Sequence, residues 1–174
     1  MNALLSNEKV MLRPVEPEDL EILYRWENDS NIWHVSNTLT PFSRFIIAEY
    51  IKSSAQDIYT TKQLRLMIEN HNGETVGTID LFDFDPFHLR AGVGILIQGE
   101  KNKRQGFAAA ALDVLASYCK KHLGLIQLYA NITDNNTASM HLFEKAGYQL
   151  SGTKKNWIRS EDQWFDEHIY QLMF

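Results

Sequence analysis

The sequence predicts a mixed α/β (α+β) fold around one sheet, and three observations support this. Short apolar runs recur along the chain, segments with apolar residues three and four positions apart lie between them, and an Asn- and Gly-rich turn at 70–73 separates two of the runs. With 174 residues, 44% of them hydrophobic, the chain can bury about 70% of its unfolded surface. We therefore expect a single domain spanning residues 1–174.

The N-terminal third is predicted to hold one strand and two helices. An apolar strand at 10–13 precedes acidic residues at 14–19, which favour a helix N-terminus, and that helix is expected to end near Glu27. Residues 33–39 are expected to be irregular. A Thr–Pro pair is expected to cap a second helix over 40–51, whose apolar residues fall on one face. These two helices are expected to wall the substrate side.

The middle of the chain is predicted to form three antiparallel strands. Residues 63–68 and 75–81 are the first two, and the turn at 70–73 joins them as a hairpin because Asn and Gly tolerate positive φ. The apolar run at 90–97 is the third.

The C-terminal part is predicted to alternate helix and strand. The long helix is expected over 106–122, followed by a strand at 125–132 and a helix at 137–145 that Gly147 ends. A last strand is expected over 164–174.

Charge and cysteine content narrow the possible partners. The formal net charge is −5 and the basic residues cluster in one turn only, which argues against nucleic acid and leaves room for a cationic substrate. The single cysteine, Cys119, is expected to be a core residue in a helix rather than a nucleophile. No leader-like or membrane-spanning run is evident, and no residue cluster has metal-ligand spacing. We therefore expect a cytoplasmic protein without a metal.

A cation-rich turn at 99–104 connects the strand at 90–97 to the long helix. The helix N-terminus has orphan N–H groups and about half a positive charge, and both favour a phosphate. Gly106 and the alanines after it leave the backbone accessible. The turn therefore predicts a diphosphate-bearing ligand, and the alternative is a solvated loop whose alanines pack the helix on the sheet.

Two segments together resemble the GNAT acetyltransferase superfamily. In that family the pattern Arg/Gln-x-x-Gly-x-Gly/Ala binds the pyrophosphate of acetyl-CoA, and Lys103-x-x-Gly106-x-Ala108 matches it except at the first position. Lysine there keeps the charge but loses bidentate hydrogen bonding. Asn136-x-x-Ser139 falls where the family places side chains against the cofactor arm, and the next helix ends on Ala-Gly-Tyr, similar to the family's Leu-Gly-Phe.

The resemblance covers most of the chain and is nearest to the spermidine/diamine and ribosomal-protein N-terminal acetyltransferase branch. It implies a mixed, mostly antiparallel sheet of about seven strands, splayed in the middle and flanked by about four helices. The splayed strands would leave backbone groups free to pair with the pantetheine arm. The Leu96 N–H is expected to stabilise the oxyanion. The implied cofactor-binding residues are Ile95, Leu96, Ile97, Lys103, Arg104, Gln105, Gly106, Phe107, Ala108, Ala109, Asn131, Asn136, Ser139 and Phe143.

The usual acid and base of these relatives are missing. Gly92 stands where they often carry a glutamate, and Phe143 stands where they often carry a tyrosine taken as the general acid. An ammonium must lose a proton before it attacks, so Asp80 and Asp83 are the catalytic candidates, with Asp85 nearby. Polyamine-acetylating relatives carry acids at the first two of these positions. The alternative for all three is a solvated strand face and a polar loop.

The resulting prediction is an acetyl-CoA-dependent N-acetyltransferase acting on a primary amine, most readily a polyamine or diamine. The alternatives are the N-terminal α-amine of a ribosomal or other protein, a module that binds acyl-CoA without turnover, and a nucleotide-binding regulator. Tyr129, Tyr148 or a water is expected to replace the missing general acid. Edge strands near the C-terminus leave a homo-oligomer possible.

Overall fold

The computed structural model describes residues 4–36 and 38–174 and contains a seven-stranded sheet. Its strands are β1 (Val10–Pro14), β2 (Leu64–Asn70), β3 (Thr75–Asp85), β4 (Arg90–Ile97), β5 (Gln127–Thr133), β6 (Gln149–Ser160) and β7 (Gln163–Met173). The helices of the described residues are α1 (Leu20–Glu27), α2 (Trp33–Ser36), α3 (Arg44–Ser53), α4 (Ile58–Thr61), α5 (Phe107–Lys121) and α6 (Thr137–Lys145). Short 3₁₀ turns precede α1 and α5.

The strand order is β1-β2-β3-β4-β5-β7-β6, and β4 and β5 are the one parallel pair in it. Their pairing covers only residues 90–92 and 127–129. Beyond it β4 continues to Ile97 and β5 to Thr133 without pairing to each other. The predicted mixed sheet, splayed in the middle, is therefore confirmed.

Helices cover both sides of the sheet. The larger core packs α5 and α6 on one side, which we call the α5 face, and includes Ile79, Val93 and Leu112. The smaller core packs α1 and α3 on the other side, the α1 face, through Leu23, Ile47 and Met67 in particular. Successive side chains of a strand point to opposite faces of the sheet. A residue an even number of positions from a core residue of its strand therefore lies on the same face as that residue.

Several details differ from the sequence prediction, among them the short helix α4, which no sequence pattern predicted. The second helix begins at Arg44 rather than after the Thr–Pro pair, because Ser43 caps it by accepting a hydrogen bond from the Ile46 N–H at 3.2 Å. Residues 33–36 of the segment expected to be irregular form one helical turn, and Asn37 lies outside the described residues. Strand β6 was absent from the predicted elements. Its side chains are mostly exposed, so it carries little apolar alternation.

Candidate active site

A cavity of about 290 Å³ lies at the gap between β4 and β5 and is lined by residues from both faces of the sheet. Its walls come from α1, α2, β2, β3, β4, β5, α6 and β7, so both halves of the sheet contribute. The predicted site residues among its lining are Asp80, Ile95, Leu96, Asn131, Asn136, Ser139 and Phe143. Ile97 is half-buried and packs on the core of the α5 face instead.

On the α5 face the cavity wall is uncharged. Asn136 caps α6 by accepting a hydrogen bond from the backbone N–H of Ser139 at 3.2 Å, which fixes the Asn136 side chain at the wall. Phe143 is buried and meets the ring of Tyr148 edge-on at 4.9 Å. This half of the cavity therefore suits a ligand arm without charge.

The register of β4 decides which backbone groups face the gap. Gln98 donates its N–H to the Val76 carbonyl at 2.9 Å, and Gly77 pairs with Ile97, so Thr78 and Leu96 form the next hydrogen-bonded pair. The Leu96 N–H therefore points to β3, and Leu96 is wrong as the backbone donor in the gap. The alternate residues Ile95 and Ile97 present their N–H and C=O groups toward β5.

The loop before α5 has an open helix N-terminus. Gly106 has φ +82° and is followed by α5, whose first intrahelical bond runs from the Ala110 N–H to the Gly106 carbonyl. The N–H groups of Phe107, Ala108 and Ala109 have no intrahelical acceptor, and no side chain within residues 4–36 and 38–174 caps them. Free N–H groups therefore lie at the place where the sequence predicts a phosphate cradle.

The basic residues of this loop differ in whether they form ion pairs. Lys103 pairs with Glu100 and Lys101 with Glu74, both at the surface. Exposed Arg104, at φ +61°, has no ion-pair partner among the described residues, and Gln105 is exposed beside it. Lys9, which the sequence analysis did not single out, donates its ammonium to the Gln105 carbonyl at 3.0 Å.

On the α1 face the cavity wall is charged. Arg65 on β2 donates from Nε and Nη2 to the two carboxylate oxygens of Asp80 on β3, at 2.6 and 3.1 Å. Its Nη1 donates to Oε1 of Glu27 at the end of α1, and its guanidinium lies 5.3 Å from the centroid of the Tyr50 ring. Burial alone would lower the pKa of Arg65, but the charges of Asp80, Tyr50 and Glu27 raise it above its ordinary value, so Arg65 stays charged.

A further carboxylate reaches the cavity from the opposite half of the sheet. Glu167 on β7 is 9% exposed and accepts a hydrogen bond from the Lys154 ammonium at 2.8 Å through Oε1. Neither Oε2 of Glu167 nor Oε2 of Glu27 has a partner among residues 4–36 and 38–174. The sequence analysis missed both glutamates, because neither belongs to a motif and each reaches the cavity only through the fold.

Comparison with known proteins assigns this architecture. Residues 9–149 match the family described as the acetyltransferase (GNAT) domain. The chain belongs to this family. It is therefore an acyltransferase of the GNAT type, as the sequence resemblance implied.

The similar proteins include polyamine enzymes. Spermidine N(1)-acetyltransferase of Escherichia coli K12 is 27% identical over 150 residues, which cover 84% of this chain and 76% of that protein. An uncharacterized N-acetyltransferase, p20 of Bacillus licheniformis, is 25% identical over 97% of this chain and 95% of its own length. The crystal structure of spermidine N-acetyltransferase from Vibrio cholerae in complex with CoA and spermine has the same fold, with a TM-score of 0.87, 20% identity and 96% coverage of both chains.

In this GNAT protein an aromatic ring packs against Gly92, the position at which relatives often carry a glutamate. A Cβ at Gly92 would lie 2.2 Å from the Phe82 ring, so that ring fills the space where a side chain at this position would stand. The Phe82 ring also meets Tyr129 edge-on at 5.8 Å. The base position is therefore occupied by an apolar contact rather than left open.

Asp83 does not join Asp80 at the GNAT cavity, which corrects the prediction that both acids serve the site. A register shift separates Phe82 from Asp85, and Asp83 lies in it with φ +48°. Its exposed carboxylate accepts a hydrogen bond from the Tyr129 hydroxyl at 3.3 Å. Asp85 is likewise turned away and binds His88.

The two tyrosines considered as general acids lie off the cavity. Burial, with a smaller contribution from the charge of Asp83, raises the pKa of Tyr129 to about 12. Tyr148 is buried in the core, its hydroxyl has no hydrogen-bond partner in the part of the chain that the structure describes, and burial raises its pKa. Cys119 is buried in the same core, and burial raises the pKa of its thiol to about 12. A nucleophilic role for this cysteine is therefore disfavoured.

No group of three or more His, Cys, Asp or Glu side chains within the described ranges is arranged to hold a metal ion. None of the helices in that part of the chain combines the length and apolar character needed to cross a membrane.

Proposed function

We propose that the protein transfers the acetyl group of acetyl-CoA to a primary amine of a small, multiply charged acceptor, a diamine or polyamine. The observation that carries this proposal is the cavity at the β4–β5 gap, which is uncharged on the α5 face and carboxylate-lined on the α1 face. Its two ends suit the two substrates of an N-acetyltransferase.

The residues near the gap fit acetyl-CoA. The free amides of Phe107, Ala108 and Ala109 are suited to the pyrophosphate, because a helix N-terminus attracts anions. The unpaired backbone groups of Ile95 and Ile97 are suited to the amides of the pantetheine arm, as in strand addition. Asn131, Asn136, Ser139 and Phe143 are proposed to line that arm.

Acetyl-CoA supplies an acetyl thioester, and the chain must provide an oxyanion donor for its carbonyl. We assign this role to the Ile95 N–H rather than to the Leu96 N–H, because the β4 register turns Ile95 toward the gap. The acceptor nitrogen forms the new C–N bond, the C–S bond breaks, and the thiolate departs. A thiol with a pKa of about 8.5 leaves without full protonation, which reduces the need for a tyrosine at position 143.

The α1 face of the cavity favours a cation. Glu27, Asp80 and Glu167 line it against one guanidinium, that of Arg65, while Lys154 outside the lining offsets part of the charge of Glu167. Asp80 is proposed to hold Arg65, since both of its oxygens accept from that side chain. The second oxygens of Glu27 and Glu167 are proposed to bind ammonium groups and to accept the proton that the attacking nitrogen releases.

The relatives support the same substrate class. The similar Escherichia coli protein is a spermidine acetyltransferase, and the similar Vibrio cholerae structure holds CoA and spermine. Gly92 and Phe143 stand where relatives often carry the base and the acid, so a module that binds acyl-CoA without turnover is the competing function.

The test is release of CoA thiol from acetyl-CoA with matched acceptors: 1,4-diaminobutane, butylamine, spermidine and a peptide with a free N-terminal amine. We expect turnover with the diamine and spermidine, and a lower KM for the diamine than for butylamine. CoA binding without amine-dependent thiol release would establish the binding module. Faster turnover of the peptide would establish an N-terminal acetyltransferase.

A further inference from the structure

We propose that Lys9, from the segment before β1, is a pyrophosphate-binding residue of the acetyl-CoA site. The inference rests on the proposed function and assigns a ligand contact to a residue outside the GNAT loop pattern. It identifies the N-terminal segment as the second wall of the phosphate cradle.

The position of Lys9 is fixed by its contact with the loop. Its Nζ donates to the Gln105 carbonyl at 3.0 Å, and a Cβ placed on Gly106 would also lie 3.0 Å from Nζ. The ammonium therefore lies directly beside the glycine that begins α5. The ammonium has three N–H donors. Among the described residues, the Gln105 carbonyl is the one acceptor found for them.

A second contact holds the same segment against the helix. Asn7 donates from Nδ2 to the Ala110 carbonyl at 3.1 Å, while its Oδ1 accepts from the N–H groups of Lys9 and Val10, both at 3.0 Å. The segment is thus tied to the first turn of α5 as well as to the loop. The exposed Lys9 side chain is consequently held beside the loop that precedes α5.

The ion pairs formed by the basic residues of the loop favour the same phosphate-binding role for Lys9. Lys101 and Lys103 each pair with a glutamate, so their charge is partly neutralised where the family pattern expects a phosphate contact. Arg104 and Lys9 have no such acidic partner among the described residues. The Lys9 ammonium beside the loop, the Arg104 guanidinium on the loop and three free amides together match the two charges of a pyrophosphate dianion.

The experiment measures CoA affinity by calorimetry, without an acceptor, for the wild type and for Lys9→Met, Lys9→Arg and Lys121→Met. Lys121 is exposed at the far end of α5, so its variant controls for loss of one charge. We expect Lys9→Met to raise the Kd for CoA about tenfold, as for loss of a hydrogen bond to a charged group, and Lys9→Arg to restore most of the affinity. Lys121→Met should leave the Kd within about twofold.

The salt dependence of the Kd for CoA distinguishes a direct contact of Lys9 with phosphate from an effect of Lys9 on the shape of the loop. Between 50 and 500 mM NaCl the affinity difference between the wild type and Lys9→Met should shrink, because salt screens an exposed charge pair. Equal Kd values for the wild type and Lys9→Met would overturn the inference. So would a loss that is independent of salt and shared by Lys9→Arg. A wild type that does not bind CoA would instead defeat the proposed function itself.

Discussion

Asp80 accepts hydrogen bonds from Arg65 through both carboxylate oxygens, at 2.6 and 3.1 Å, and the same guanidinium binds Glu27. The pair joins β2 to β3 beneath the end of α1 and forms part of the cavity wall. Both partners are about three-quarters buried, with side chains 21% and 26% exposed. Asp80 is therefore committed to Arg65 before any acceptor arrives.

Asp80→Asn should reduce stability, because it leaves Arg65 with only Glu27 as an ionic partner. We expect a loss of about 1–3 kcal/mol in the free energy of unfolding by urea, less than for a fully buried pair. Asp83→Asn on the same strand is the control and should change stability by less than about 0.5 kcal/mol, since Asp83 is exposed. Equal effects of the two variants would show that the ion pair does not stabilise the fold.

Glu27→Gln and Glu167→Gln should each weaken the preference for a diamine. Glutamine keeps the size and one accepting oxygen but removes the charge, so the KM for 1,4-diaminobutane should rise about tenfold toward that of butylamine. The KM for acetyl-CoA should stay within about twofold. Glu49→Gln, on the exposed side of α3, is the charge-matched control. Full diamine preference in both cavity variants would remove the glutamates from the acceptor site.

Phe143→Tyr should raise kcat without loss of acetyl-CoA binding. The ring lines the cavity and is otherwise buried against Tyr148, so an added hydroxyl that reaches the cavity would supply a proton donor for the thiolate. We expect kcat to rise by up to about tenfold, which is less than the roughly 10²- to 10⁴-fold effect of a typical general acid, because the thiolate already leaves without full protonation. If the variant instead loses affinity for acetyl-CoA, the position is purely structural.

Gly106→Ala should weaken acetyl-CoA binding as well as stability. The positive φ of +82° costs alanine about 1 kcal/mol, and the added Cβ would lie 3.0 Å from the Lys9 ammonium. Gly73→Ala is a matched control, because Gly73 has φ +75° with nothing within 4 Å of the new Cβ. Both variants should lose similar stability in thermal unfolding, and only the first should raise the KM for acetyl-CoA. A raised KM in both variants would show that a general loss of stability, rather than the added Cβ at position 106, weakens acetyl-CoA binding.

Acid should destabilise the protein through Asp19. Burial alone would raise the pKa of Asp19, but hydrogen bonds from the Arg13 guanidinium and the Glu16 N–H outweigh it and lower the pKa. A lowered folded pKa contributes stability that is present above the unfolded value of about 3.9 and is lost as pH falls through the folded value.

Unfolding free energies measured from pH 7 to pH 2 should therefore fall more steeply for the wild type than for Asp19→Asn. The two curves should converge at the acid end. Parallel curves over the whole range would show that Asp19 has the same pKa folded and unfolded.

Much of the fold was predictable from local pattern. The predicted limits of β4 and α6 agree with the structure, because an apolar run and a capped amphipathic helix are local signals. Strand β6 was not predictable in this way. It lies at the sheet edge with mostly exposed side chains, and its place is set by pairing with β7.

The site was predictable only where motifs carried it. The loop around Gly106 and the helix that follows Asn136 agree with sequence patterns, whereas Glu27 and Glu167 reach the same cavity only through long-range topology. The error at Leu96 has a specific cause: a change of one residue in register reverses the direction of every backbone N–H along a strand. The sequence pattern predicts the limits of β4 but not which of its N–H groups point to β3 and which point to the gap.

The central claim is that the β4–β5 gap receives the pantetheine arm while the N-terminus of α5 binds the pyrophosphate. A crystal structure of the protein with CoA measures this most directly. We expect the pyrophosphate on the N–H groups of residues 107–109, and the pantetheine amides paired with the backbone of Ile95. CoA bound elsewhere, with the gap closed by pairing of β4 and β5 along their full length, would contradict the account.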